Sequence, residues 1–130
     1  VNGLEGKSEK LVADIQRQLI IVMGELATLE EDHQRYQKDG HRLVDEAMVE
    51  TLTEISKRLE EDNDIRFSGW SIPGDDGPLA AHLDFARVTC RRAEREVWVL
   101  IESGDVTNRM LANYLNRISD ILWLLARVPS

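Results

Sequence analysis

Residues 11–26 read LVADIQRQLIIVMGEL. Apolar side chains recur in this stretch at three- and four-residue steps, which places them on one face of a helix. They are Leu11, Val12, Ile15, Leu19, Val22, Met23 and Leu26. Because a helix with one apolar face must bury that face against other elements, the stretch predicts a packed helical domain. We place this first helix at residues 7 to about 29.

The same periodicity predicts three more helices, at residues 41–60, 79–102 and 106–128. Residues 30–40 are polar, lack periodicity and end at Gly40, so a loop is expected there, although the charged residues could extend the preceding helix. A second loop is expected at residues 63–78, where Trp70 and Ile72 alternate with polar residues ahead of a Pro-Gly turn. No strand pair is indicated. Four helices with short connections predict an all-α fold, an antiparallel helical bundle.

Length and charge restrict the classes of function. The chain has 130 residues, with 16 Lys and Arg against 24 Asp and Glu, and a net charge of -8. This composition is typical of one soluble domain over residues 1–130. An acidic balance argues against nucleic-acid and anionic-membrane partners, so any anion site must be local. The single Cys90 cannot form an internal disulfide, which favours a cytoplasmic location.

The third helix concentrates positive charge, because residues 87–95 read RVTCRRAER. Arg87, Arg91 and Arg95 lie four apart and drift only about 40° per step, so they form one stripe roughly 12 Å long. One interpretation is weak local ion pairing. The pairs would be Asp84 with Arg87, Arg91 with Glu94, and Arg92 with Glu96. The other is a clamp for polyphosphate or carboxylate, which the guanidinium fork suits.

The fourth helix has a polar interruption, YLNRISD at residues 114–120, within an apolar sequence. Asn116 and Asp120 share a face, and Arg117 can reach Asp120 at three residues' spacing. These groups either pair locally and across one helix contact, or converge with the arginine stripe of the preceding antiparallel helix. The sequence alone leaves both open.

Other chemistry has little support in the sequence. The three histidines lack partners at metal-ligand spacing, so we expect no metal held by protein side chains alone. No nucleophile motif such as G-x-S-x-G is present, and we expect Cys90 to pack inside the bundle. A glycine-rich phosphate loop is also missing.

Three linked motifs carry a family resemblance. They are Trp70-x-Ile-Pro-Gly, then ARVTCRRAER at residues 86–95, then YLNRISD at residues 114–120, with LLAR at residues 124–127. The set resembles the PduO-type ATP:cob(I)alamin adenosyltransferases, which carry aromatic-x-Leu-Pro-Gly-Gly, A-R-x-x-x-R-R-A-E-R and Y-L-N-R-L-S-D in this order. The resemblance covers about residues 70–127, and the first helix matches more loosely.

The resemblance implies a homotrimer of five-helix bundles with active sites between subunits. It also implies the reaction, in which the adenosyl group of ATP moves to the cobalt of reduced cobalamin and triphosphate is released. The substrates are ATP with Mg²⁺ and the corrinoid.

The resemblance also assigns roles to residues. Arg91, Arg95 and Arg117 would hold the triphosphate as the catalytic groups. Glu94 and Asn116 would place the nucleotide and its Mg²⁺. A further three residues would support the site: Arg87 and Asp120 by ion pairing, and Trp70 by excluding the lower axial ligand of cobalt.

The chain departs from the family at its N-terminal side. The family's T-G-D-x-G-T-T nucleotide loop and its first helix, with D-E-L-N, have no counterpart in these 130 residues. The acid of that helix normally pairs with the arginine matched by Arg87, and Asp84 is placed by spacing to replace it. Two alternatives therefore stay open: a non-catalytic homologue that binds corrinoid or acts in assembly, and a bundle whose arginines only pair with acids at a subunit interface.

Overall fold

The computed structural model describes residues 3–63 and 78–127, with side chains described for residues 9–62 and 78–127. Within these ranges the chain forms five α-helices and a 3-10 turn at Glu30–Asp32, and no strand. The helices are α1 (Gly3–Leu26), α2 (His33–Lys38), α3 (Glu46–Asn63), α4 (Pro78–Glu102) and α5 (Met110–Arg127). The predicted all-α class is confirmed. The predicted loop with Trp70 and Ile72 lies outside the described residues.

Three boundary predictions were wrong. Residues 30–40 are not a plain loop, because they contain the 3-10 turn and α2. The helix expected from residue 41 begins at Glu46, since the Asp45 carboxylate accepts a hydrogen bond from the Met48 N–H at 2.9 Å and caps it there. In the same way α5 begins at Met110 rather than at residue 106, because the Asn108 side-chain oxygen accepts the Met110 N–H at 3.1 Å.

Helix α5 is the centre of the bundle. Eleven of its 18 residues are buried, and it packs extensively against α4 on one side and α3 on the other. The buried residues are Leu111, Ala112, Tyr114, Leu115, Ile118, Ser119, Ile121, Leu122, Leu124, Leu125 and Ala126. Helix α1 adds Ile15 and Val22 to the same core. The fold is therefore a bundle in which the other long helices pack around the largely apolar α5.

Hydrogen bonds between helices fix their directions. Asn108 bonds to the Val44 carbonyl and Arg117 bonds to Thr53, a constant offset of 64 residues that makes α3 and α5 parallel. Asn116 meets Glu94 whereas Arg127 meets Asp84, so α4 and α5 are antiparallel. Successive long helices thus alternate in direction, which confirms the antiparallel bundle.

Glu25 joins three helices at one end of the bundle. Its buried carboxylate accepts the Val44 N–H at 2.6 Å and the Asn108 side-chain N–H at 2.7 Å. Because a buried carboxylate must be hydrogen-bonded to be tolerated, these contacts hold the end of α1 against the starts of α3 and α5. Close by, Thr107 donates its N–H and hydroxyl to Glu30 at 2.9 and 3.0 Å.

Several large apolar side chains lie on the outside of the chain. Phe85 is 74% exposed, and Val88 and Val99 on the same helix are also exposed, as are Ile20 and Met23 on α1. Phe85, Val88 and Val99 follow helical spacing, so they share one outer face of α4. None of the helices in the described ranges is long and apolar enough to cross a membrane.

Candidate functional site

The candidate site lies where α4 packs against α5. The two helices approach closely at small side chains: the Cys90 thiol donates to the Leu115 carbonyl at 3.2 Å, and the Ser119 hydroxyl donates to the same carbonyl at 3.1 Å. Burial raises the pKa of the Cys90 thiol, which is the main effect, although Ser119 and Arg91 oppose it. The prediction that Cys90 packs inside the bundle is confirmed. Its hydrogen bond to Leu115 fixes how α4 and α5 are aligned along their length, and this alignment brings the polar groups of the two helices together.

Glu94 is the acid at the centre of the site. Its side chain is only 12% exposed, and its carboxylate lies 3.6 Å from the Arg91 guanidinium. The Asn116 amide approaches both carboxylate oxygens at 3.4 and 3.5 Å, across the α4–α5 contact. All three contacts are long for hydrogen bonds to a carboxylate, so Glu94 keeps the capacity to bind another partner.

Arg117 continues this network to a third helix. Its Nη1 donates to the Asn116 side-chain oxygen at 2.7 Å, and its Nε donates to the Thr53 hydroxyl on α3 at 2.9 Å. The chain of contacts Arg91–Glu94–Asn116–Arg117–Thr53 therefore crosses α4, α5 and α3. The structure confirms that the polar groups of the last helix converge with part of the arginine stripe.

Asp120 lies next to this network but forms no ion pair with any described residue. Partial burial raises its pKa, while the charges of Arg117 and Arg91 lower it and those of Glu94 and Glu60 raise it further. Arg117 uses its Nε and Nη1 on Thr53 and Asn116, so the predicted Arg117–Asp120 contact is electrostatic and not a direct bond.

The remaining arginines of α4 differ from one another. The predicted Arg92–Glu96 pair forms at 3.6 Å on the exposed surface, away from the site, where such a pair contributes little. Arg95 is exposed and has no ion-pair or hydrogen-bond partner among residues 3–63 and 78–127. Arg87 is half-buried, and its buried Nε has no hydrogen-bond partner in those ranges.

The prediction that Asp84 pairs with Arg87 was wrong. Asp84 is buried against α5 and pairs with Arg127 at 2.9 Å, while the Arg127 guanidinium stacks 4.7 Å from the centre of the Trp123 ring. The carboxylate projects towards the neighbouring helix, where the last turn of α5 supplies a cation, and not along its own helix. Arg87, like Asp120, makes no ion pair with a described residue, so the bracing roles expected of these two stay predictions.

Thr53 was missed by the sequence reasoning. A threonine beside the apolar stripe of a helix gives no signal in the sequence, and only the packing of α3 on α5 shows its role. Trp70, the predicted corrinoid contact, lies outside the described residues. In the part of the chain that is described, no three His, Cys, Asp or Glu side chains lie close enough to hold a metal. Glu94 and Asp120 are the acids at this site.

Comparisons with known proteins agree on one family. The family model described as cobalamin adenosyltransferase matches residues 3–129. A corrinoid adenosyltransferase of Mycobacterium leprae is 45% identical over 60 residues, which are 45% of this chain and 31% of the relative. The corresponding human protein is 47% identical over 51 residues, 39% of this chain and 20% of the relative.

A cobalamin adenosyltransferase of Cupriavidus metallidurans is 41% identical over 63 residues, which are 48% of this chain and 33% of that protein. The matched segments thus span a third or less of the length of these relatives. No solved structure gives a significant match.

Proposed function

Because the chain belongs to the cobalamin adenosyltransferase family, we propose that it transfers the adenosyl group of ATP to the cobalt of a reduced corrinoid. In this reaction the electron pair of Co(I) attacks the 5′ carbon of ATP, a cobalt–carbon bond forms, and the bond from that carbon to oxygen breaks. Triphosphate leaves with the bonding electrons. The observation that carries the proposal is the contact network Arg91–Glu94–Asn116–Arg117 between α4 and α5.

The arginines supply what this reaction requires of a protein. Negative charge develops on the leaving triphosphate, so fixed cations near it stabilise the transition state, and holding both substrates in line lowers the barrier further. We assign triphosphate binding to Arg91, Arg95 and Arg117, with Arg87 at the buried end of the same stripe. Arg95 has no competing partner in the described ranges and Arg91 only the long contact to Glu94, which supports this assignment.

Glu94 and Asn116 are proposed to place the nucleotide and its Mg²⁺. Mg²⁺ is usually held by one or two carboxylates together with substrate phosphates and water. Glu94 fits this pattern, since it is a largely buried carboxylate with only long contacts, and Asp120 is the second acid nearby. When bound, the ion would neutralise charge on the triphosphate, while Asn116 orients the groups on either side of it.

A homotrimer with sites between subunits belongs to the same proposal. The exposed apolar face of Phe85, Val88 and Val99 supports it, because large apolar patches on soluble proteins usually mark interaction surfaces. That face is on α4, the helix that also carries the arginine stripe, so a neighbouring subunit there would approach the site. We further propose that Trp70 contacts the corrinoid and that the protein is cytoplasmic.

The test is adenosylcobalamin formation from Mg-ATP and chemically reduced cobalamin, followed by absorbance. We expect activity in the natural chain, a loss of at least about 100-fold in Arg91→Ala, as is typical when one group that stabilises developing charge is removed, and little change in Arg92→Ala. Arg92 is a matched control, since it is the next residue on α4 but pairs with Glu96 on the surface. Corrinoid binding without any turnover by the natural chain would overturn the proposal and favour a non-catalytic homologue.

A further inference from the structure

The Thr53 hydroxyl has a fixed direction. It donates its hydrogen to the Val49 carbonyl one turn earlier in α3, at 3.0 Å, and accepts the Arg117 Nε–H at 2.9 Å. A hydroxyl has a single hydrogen, so its use on Val49 leaves only lone pairs facing the guanidinium. Thr53 is therefore an obligate acceptor for Arg117.

Two contacts fix the plane of the Arg117 guanidinium. Nε is bound to Thr53 and Nη1 to the Asn116 side-chain oxygen, at 2.9 and 2.7 Å. The group is planar and rigid, so two bonds on different nitrogens determine its orientation. Nη2 has no hydrogen-bond partner among the described residues, which leaves its two donors available to an anion.

We propose that Thr53 is a positioning residue for Arg117, holding the guanidinium so that its Nη2 donors are presented to triphosphate. This inference rests on the proposed function, since it names how α3 contributes to that site. Without Thr53, a long side chain of several rotatable bonds would be held at one point only, and binding would include the cost of ordering it.

The test uses Thr53→Val, which keeps the shape and the β-branch but removes the acceptor. We expect the dissociation constant for Mg-triphosphate, measured by calorimetry, to rise about tenfold, equivalent to about 1.4 kcal/mol. The KM for ATP should rise similarly while the KM for corrinoid stays unchanged. Thr53→Ser, which retains the hydroxyl, should restore both values to within about twofold of the natural chain.

Thr51→Val is the matched control. Thr51 lies on the same helix and makes the same bond to a carbonyl one turn earlier, Ala47 at 2.9 Å, but it is exposed and forms no hydrogen bond with an arginine of the described residues. We expect its triphosphate affinity to be unchanged. An equal loss in Thr51→Val and Thr53→Val would show a general effect on α3 and overturn the inference.

A double-mutant cycle gives a second readout should Thr53→Val lower stability. In an Arg117→Ala background, Thr53→Val should have no further effect on triphosphate affinity, and an additive loss would contradict positioning through Arg117. The two proposals also fail differently. A natural chain that binds triphosphate but never adenosylates cobalamin refutes the proposed function alone, whereas an active Thr53→Val variant with normal affinity refutes the positioning role alone.

Discussion

Replacing Asp84 by alanine should destabilise the protein far more than breaking a shorter ion pair on its surface. Asp84 and Arg127 are 4% and 14% exposed, and their atoms lie 2.9 Å apart. Removing the carboxylate leaves a nearly buried guanidinium whose Nε already has no hydrogen-bond partner in the described ranges. Removing one partner of such a pair costs about 3–5 kcal/mol of unfolding free energy.

The control is Asp14→Ala. Asp14 and Arg17 lie closer together, at 2.6 Å, but their side chains are 49% and 70% exposed. Water screens this pair, so its loss should cost less than about 1 kcal/mol. The burial of the pair, and not the distance between its charged atoms, then decides how much unfolding free energy its removal costs.

The assay is urea unfolding followed by circular dichroism at neutral pH, with the free energy extrapolated to water. The double variant Asp84→Ala, Arg127→Met should recover part of the loss, because it removes the uncompensated charge. Equal free energies for the Asp84→Ala and Asp14→Ala variants would refute the reasoning, as would a double variant no more stable than Asp84→Ala.

Three further predictions concern titration and reactivity. The hydrogen bond from the Thr107 N–H is the main cause that lowers the pKa of Glu30. Ionised Glu30 therefore stabilises the fold above its ordinary pKa of 4.5, and this contribution is lost as the pH falls below that value. In the Glu30→Gln variant, the urea midpoint of unfolding should fall less on acidification than in the natural chain. Asp120 has a pKa raised by burial, so its ionisation destabilises the fold as pH rises above its ordinary 3.8. As the pH rises from 3 to 7, the Asp120→Asn variant should therefore gain stability relative to the natural chain. A pKa of Asp120 at or below 3.8, measured by NMR titration of the natural chain, would contradict this. Cys90 has a pKa raised above 9.0, so it should react slowly with a disulfide reagent at pH 8 and rapidly once urea unfolds the chain; equal rates would contradict its burial.

The contact between the last two helices could be anticipated from sequence because it depends on local geometry. Spacings of three and four residues put Glu94 beside Arg91 and place Asn116 and Asp120 on one face, whatever the rest of the chain does. Antiparallel packing then brings Glu94 and Asn116 together, and this is observed. The roles of these residues towards nucleotide and corrinoid remain predictions.

Tertiary placement could not be anticipated in the same way. Periodicity identifies the face of a helix but not its register against a neighbour, so it could not show that Asp84 meets Arg127 or that Thr53 meets Arg117. The helix starts failed for a different reason, since both caps are local: Asp45 accepts the Met48 N–H, and Asn108 accepts the Met110 N–H. The apolar residues Leu43, Val44 and Val106 continue the periodicity ahead of these caps, so periodicity alone began each helix too early.

Helix α5 combines two tasks that many proteins assign to different segments. The residues that hold the molecule together alternate along it with Asn116, Arg117 and Asp120. These polar groups therefore sit on the part of the chain expected to open last in hydrogen exchange, since its backbone is released only when the core is lost. A helix that opens so rarely holds its charged side chains in precise orientations but allows their positions to change little. Selection for a different nucleotide or corrinoid would act more readily on the exposed positions of α4, because changes there alter the surroundings of the site without dismantling the core around α5.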